Sequence, residues 1–405
     1  MSIEGRMALR IRSEVVARPL VLCLFAAFCL ISFWALLCVG FAAAEDEPPV
    51  SSDWHYGLYL DVSYPLNFNF PENHQWRTKL TTPRTNEFTP NMALGYVQKD
   101  VTPDSRWGLV LAVEGGNDTK LMEPQPTPQG DKPVPKADFL RHVHRANVSY
   151  LAPIGNGLTL TAGLLTSFIG YESFYSRDNF NYTRSYMADY APYFMTGVAA
   201  QYPVNETLQF AVYVINGYNN ISQPNRAPSY GTQLSWKPSP RWTLKQNFYY
   251  GPDQFDTALK FWRFFSDSIV EWKDDAWTVA LAYDVGTENA VEQAGHPRML
   301  WTSTAFFVRY HVRGPWSVAF RPELYWDRNG RLTGAEQLIT AMTSTLEYRL
   351  DVGRQSAMLR LEYRFDRSTG PQGGFYKGGD IAPGVVGLTP NQNLLILGLL
   401  WAFDS

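Results

Sequence analysis

The residues best placed to do chemistry in this 405-residue chain lie in one short run near its end, Leu359-Arg360-Leu361-Glu362-Tyr363-Arg364-Phe365-Asp366. Apolar and ionisable residues alternate there at period two. On an extended chain Arg360, Glu362, Arg364 and Asp366 therefore share one face, and Leu359, Leu361, Tyr363 and Phe365 the other. Upstream, Glu347 and Arg349 stand opposite Leu346, Tyr348 and Leu350, and Arg321 and Glu323 stand opposite Phe320 and Leu324. If the three segments are neighbouring strands, their charged faces merge into one wall of acids and arginines. Such a wall does electrostatic chemistry: it orients polar solutes and tunes ion preference in a passage. The same residues could equally be cross-strand salt bridges that only hold the wall together, and both readings stand at this point.

A second candidate is the block from Tyr171 to Tyr190, where Tyr171, Glu172, Arg177, Asp178 and Arg184 stand among further tyrosines. Aromatics over polar groups suit hydroxylated solutes, so the block is a candidate constriction loop; a loop packed on an outer rim is the alternative. Other constellations are weak. His142 and His144 at i, i+2 have a spacing that can bind metal on a strand, but no carboxylate or further histidine lies near them in sequence, and no metal or cofactor is expected. There is no Gly-x-Ser-x-Gly elbow, phosphate loop, zinc-helix motif or dinucleotide fingerprint, so the chain is not expected to be an enzyme.

A charge ladder needs an element that hides it from lipid or exposes it to water. On a lipid-facing strand each arginine at mid-depth would cost about 2–4 kcal/mol, so the ladder is expected to face a lumen. The apolar half of the pattern recurs along the chain: Trp54, Tyr56, Leu58, Leu60, Val62 and Tyr64; Trp107, Leu109, Leu111 and Val113; Trp277, Val279, Leu281, Tyr283 and Val285; Trp316, Val318 and Phe320. Aromatics fall at the strand ends, where the interfaces of a bilayer would lie. Short turn signals such as Lys273-Asp274-Asp275 and Arg313-Gly314-Pro315 alternate with longer segments near 66–86, 115–137, 170–189, 217–229, 251–259, 286–299, 327–335 and 368–390. The expectation is an all-β chain: a single transmembrane antiparallel β-barrel of about 16 strands (14–18), with short periplasmic turns and long extracellular loops.

The last thirteen residues, Asn393-Leu-Leu-Ile-Leu-Gly-Leu-Leu-Trp401-Ala-Phe403-Asp-Ser405, fit this scheme. The run is too short for a membrane helix, which needs about 20 apolar residues, and long enough for a tilted membrane strand of about 9–11. Trp401 and Phe403 are similar to the terminal aromatic signal read by outer-membrane assembly machinery, although Asp404 and Ser405 follow them. Taken alone, the run reads equally well as an ordinary buried strand.

At the other end, Arg6, Arg10, Arg12 and Arg18 precede an apolar run from Pro19 to Phe41 that closes on Ala42-Ala-Ala44. A basic region, an apolar region and an Ala-x-Ala site predict a signal peptide over 1–44, with one barrel domain over 45–405; an uncleaved membrane anchor is the alternative. Cys23, Cys29 and Cys38 all fall within 1–44, which leaves no disulfide framework beyond it. The chain carries a net charge of −3, and removing four arginines and two glutamates with the first 44 residues takes it to −5, a balance that gives no footprint for nucleic acid. A mean hydropathy of −0.23 beside 15% aromatic residues is what lipid-facing and lumen-facing alternation produces.

Gly163-Leu-Leu-Thr166-Ser-Phe168-Ile-Gly170-Tyr171-Glu172, followed by Asn181-Tyr-Thr-Arg184-Ser-Tyr186 and Pro192, resembles the signature of the OmpL-like beta-barrel porins of Gram-negative bacteria. Leu359 to Ser368, with Phe375 downstream, resembles a late strand of that family, and Thr389-Pro-Asn391-Gln392-Asn393 resembles its ending. Asn86 to Val97 and Trp107-Gly108 fit more loosely. The resemblance implies a porin-type barrel in the outer membrane but names no solute. It favours a water-filled channel for passive diffusion of small hydrophilic solutes. The alternatives are a plugged structural or adhesin-type surface barrel and a barrel enzyme. Expected partners are outer-membrane lipid, the assembly machinery and the solutes themselves; a homo-oligomer is compatible with such a barrel.

Overall fold

In the computed structural model, which describes residues 53–122, 138–254, 257–291, 293–382 and 385–405, sixteen antiparallel strands close into one barrel. The expected signal peptide lies outside the described residues. The barrel strands are β1 (Trp54–Asn67), β2 (Thr89–Lys99), β3 (Trp107–Gly115), β4 (Val143–Ala152), β5 (Leu158–Thr166), β6 (Phe194–Pro203), β7 (Leu208–Ile215), β8 (Ser229–Ser239), β9 (Trp242–Pro252), β10 (Trp262–Lys273), β11 (Trp277–Asn289), β12 (Arg298–Arg313), β13 (Trp316–Asp327), β14 (Gln337–Val352), β15 (Gln355–Thr369) and β18 (Asn391–Asp404). A separate hairpin of β16 (Phe375–Ala382) and β17 (Val385–Thr389) sits in the last long loop. Neighbours in sequence are neighbours in the wall, and β1 closes the cylinder on β18, from Gly57 opposite Asp404 to Asn67 opposite Leu394.

Alternation decides which way each strand faces. In β1, Trp54, Tyr56, Leu58 and Leu60 are exposed on the outside, while Gly57, Tyr59, Asp61 and Ser63 are buried within. In β13, Trp316, Val318 and Phe320 face out and Ser317, Ala319 and Arg321 face in. The outer belt is bounded by aromatics: Trp242 pairs with Trp272 at the short-turn end, and the Tyr250 and Trp262 rings lie 5.5 Å apart toward the loop end. Eight residues separate Trp242 from Tyr250, roughly 27 Å of strand; tilted by about 40° this spans about 21 Å, within a few Å of an apolar band about 25 Å tall.

Two features depart from the sequence expectation. Residues 368–390 were expected as plain loop, yet they contain the β16–β17 hairpin; its Gly378-Gly379 step and short length hide any period-two pattern. The second is the inner face of β18, where Leu394, Ile396, Leu400 and Ala402 are buried among Tyr182, Phe174 and Tyr59. The final strand is apolar on both faces because its inner face meets protein. That protein is the loop between β5 and β6, and with it the barrel's core lies inside the cylinder.

Candidate functional site

An irregular loop inside a barrel brings many peptide groups away from bulk water, and each needs a partner. The loop of residues 167–193 enters at Gly170, whose φ of +98° is a conformation open to glycine and strained for other residues. The Gly170 N–H donates to Asp267 Oδ2 of β10 at 2.7 Å. The Tyr171 hydroxyl donates to Glu271 Oε2 at 2.8 Å, and its ring lies 4.7 Å from that of Phe307 on β12. Glu172 accepts from Arg321 Nη1 at 2.6 Å and from the Ser185 N–H at 2.9 Å. Ser185 caps a one-turn helix, Tyr186–Asp189, by accepting from the Ala188 N–H.

The late-strand charges meet this loop. The expected adjacency of the three strands holds: β13, β14 and β15 are consecutive in the wall, with Glu347 opposite Arg360, Thr343 opposite both Arg321 and Arg364, and Ala341 opposite Asp366. Arg360 is ion-paired to Glu347 at 2.6 Å and donates to the carbonyls of Ser176, Asn179 and Asn181 at 2.6, 2.8 and 3.2 Å. Arg364 pairs with Asp366 and Glu323 at 2.8 and 2.9 Å and donates to the Arg184 carbonyl at 3.0 Å. Arg321 donates to the Thr183 carbonyl at 2.7 Å. The acids answer the opposite polarity. Glu362 accepts from the Tyr182 and Thr183 N–H groups at 2.6 and 3.1 Å, Glu323 accepts from the Tyr186 N–H at 2.6 Å, and Asp366 accepts from the Tyr186 hydroxyl at 3.2 Å.

These side chains face inward, and Arg321, Glu323, Glu347, Arg360, Glu362, Arg364 and Asp366 are all buried beneath the loop. Alternation predicts their direction; it carries no sign of what covers them. Arg349 is set apart: it lies toward the short-turn end of β14, exposed and paired with Asp351 at 2.9 Å. Of the loop candidates, Tyr171, Glu172 and Arg184 are anchored in the interior, whereas Arg177 pairs with Asp404 near the end of the chain at 2.8 Å and with Asp178 at 3.5 Å. Trp401 and Phe403 face outward on β18, with the Phe403 ring 6.1 Å from that of Tyr56.

Residues missed by sequence reasoning complete the clamp. Asp61 of β1 accepts from the hydroxyls of Tyr182, Ser176 and Tyr59. Its inward place among outward apolar residues was the available signal. Lys79 pairs with Asp189 and donates to the Arg184 carbonyl at 2.7 Å; burial lowers its pKa, and Asp189 opposes the shift. Asp118 pairs with Arg184 at 3.3 Å, and burial, only partly offset by that guanidinium, pushes its carboxyl up to about 7. Neither Lys79 nor Asp118 has any periodic signature. His142 and His144 both turn to Glu114: His142 Nδ1 lies 2.9 Å from its carbonyl, and His144 Nδ1 lies 3.1 Å from Oε2.

Across the lumen from the clamp, inward positions of the wall stay half-exposed, among them Asn147, Thr161, Gln201 and Lys245. The site can therefore hold a loop against one side of a barrel while a polar, water-accessible surface lines the other.

A family model described as putative beta-barrel porin-2, OmpL-like, matches residues 54–403. Among solved structures, the chain is similar to the anion-selective porin from Comamonas acidovorans, with 11% identity, 86% of this chain and 98% of that chain covered, and a TM-score of 0.52. It is similar to the outer membrane channel DcaP of Acinetobacter baumannii, with 9% identity, coverage of 87% and 96%, and a TM-score of 0.51. It is also similar to outer-membrane expressed OmpT of Vibrio cholerae, with 11% identity, coverage of 89% and 100%, and a TM-score of 0.51. At these identities the likeness is one of fold. No curated protein matches the chain.

Proposed function

The chain belongs to the OmpL-like putative beta-barrel porin-2 family, and from that premise we propose that it passes small hydrophilic solutes by passive diffusion through a lumen narrowed by the loop 167–193. It is a porin of the Gram-negative outer membrane, and its exposed apolar belt meets lipid. The observation that carries the finer reading is the division of the lumen into a buried clamp and a half-exposed polar wall. On this reading the passage runs along β4 to β9. Arg321, Arg360 and Arg364, with Glu323, Glu347, Glu362 and Asp366, act on it through the loop they hold; Arg349 is a rim charge. Trp401 and Phe403 serve the assembly machinery from the outer face.

The test is electrical. Barrels inserted in planar bilayers should give discrete conductance steps, and Lys245→Glu, which reverses a charge on the half-exposed wall, should shift the zero-current potential across a salt gradient toward cation preference. An unmoved potential would place the passage elsewhere. One observation favours a second reading, a barrel filled by its own side chains: Tyr218, Tyr249, Phe265, Trp301 and Tyr325 form a buried cluster inside the cylinder. Absence of any conductance step from folded barrels would select it.

A further inference from the structure

A cavity of about 220 Å³ lies between the loop and the wall, against Tyr59 of β1, Leu94 and Tyr96 of β2, Arg145 of β4, and Tyr175 and Arg177 of the loop. Its rim is at the short-turn end, where Gln98 bonds Asp100 and where Tyr96 and Arg177 both hold Asp404. The walls are aromatic: the Tyr59 and Tyr175 rings meet edge to face at 5.9 Å. Two guanidiniums look into this space, and their states differ. Arg177 is neutralised by Asp404 and Asp178. Arg145 lies 6.0 Å from the Tyr175 ring centroid and makes no ion pair among the described residues. Its Nε is buried without a hydrogen-bond partner, and the Tyr175 hydroxyl is buried with the Arg145 guanidinium as its neighbour. Glu114, on the adjoining strand, turns Oε2 to His144 Nδ1.

A forked cation and a phenolic hydroxyl beside flat aromatic walls are the recognition chemistry of one kind of solute. We propose that this cavity is a binding subsite at the short-turn mouth of the lumen, beside the solute path, for small monocarboxylates with a flat, ring-like carbon skeleton, the carboxylate held by Arg145 and Tyr175 and the ring packed on Tyr59, Leu94 and Tyr96. A guanidinium presents parallel donors that match a carboxylate, and a tyrosine face accepts a ring without needing further polar contacts. One unpaired cation fits a single negative charge; a second carboxylate on the solute would meet Asp178 at the rim.

The inference rests on the porin reading for its meaning, but its test does not use conduction. Calorimetric titration of the whole folded barrel in detergent at constant ionic strength uses sodium benzoate as probe, with sodium acetate and benzyl alcohol beside it. Benzoate should bind one to one and about tenfold more tightly than either, because each control keeps only half of the recognition. Arg145→Gln should weaken benzoate by about tenfold or more, and Arg145→Lys, which keeps charge but loses the fork, by less. Heat-modifiable migration identifies variants that fold; the lysine variant supplies the test if the glutamine variant does not. Benzoate binding no tighter than acetate, or unchanged in a folded Arg145 variant, overturns the subsite. Missing conductance steps would instead overturn the porin reading and leave a measured benzoate site standing.

Discussion

Replacing Arg360 with alanine should release the loop from the wall. The side chain joins the Glu347 carboxylate to three loop carbonyls at 2.6 to 3.2 Å, all of them buried. Removing one partner of a buried ion pair costs about 3–5 kcal/mol. Glu347 would keep Arg309, 2.8 Å away and about one-third exposed, so the lower end of that range applies. A loss of about 3 kcal/mol raises the ratio of undocked to docked loop by about a hundredfold, so a loop free for about a thousandth of the time would be free for about a tenth. In planar bilayers Arg360→Ala should show frequent excursions to a higher conductance that are rare in the parent. Arg349→Ala, which removes an exposed rim pair, should not. If folded Arg360→Ala barrels have the parent's mean conductance and noise, either the loop is not the constriction or Arg360 does not hold it.

Three further outcomes follow from the same contacts. Asp118 has its pKa raised by burial when the loop is docked, so the docked state holds a proton that the free loop would release at lower pH; docking should weaken as pH rises from the ordinary carboxylate range to about 7 and then level off, and Asp118→Asn should flatten that dependence of conductance noise on pH. Gly398 of β18 lies directly beneath the Tyr182 ring, where any Cβ would collide with it, so Gly398→Val should expel the ring and increase proteolytic nicking of the loop in folded barrels, whereas a nicking rate equal to the parent would show that Tyr182 is not seated there. Phe403→Ala should lower the amount of heat-modifiable protein in the outer membrane by more than Leu399→Ala, measured by semi-native gel; equal losses would mean that apolar area alone, and no terminal aromatic signal, governs assembly.

The barrel was legible because its outer half obeys a local rule. From Trp54 to Tyr64, or from Trp277 to Val285, the alternation is complete within one strand, and a reader needs no partner to see it. The direction of Arg360 and Arg364 was legible for the same reason. What they touch was not, since the Ser176 and Arg184 carbonyls lie more than 170 residues away in sequence and main-chain acceptors carry no residue type. Ion pairs between separate loops, such as Lys79 with Asp189, have neither period nor spacing to betray them. The apolar inner face of β18 pointed to the filled interior; in isolation, it read equally well as a buried strand of an ordinary sheet.

The way the loop is held also sets an order of events in time. Residues 167–193 are made before any of β10 to β15 that anchor them, and a further support, Asp61, stands on the strand that must await β18 to close the wall. Until Asn391–Asp404 has paired with β1, the Tyr182 ring has no Gly398 to seat on within a closed wall, and the cylinder has a free edge. Narrowing of the lumen is thus expected to be the final act of biogenesis. A chain stalled before its last strand would leave an unoccupied seam and an unseated loop exposed together, a state open to quality-control proteases at two places at once.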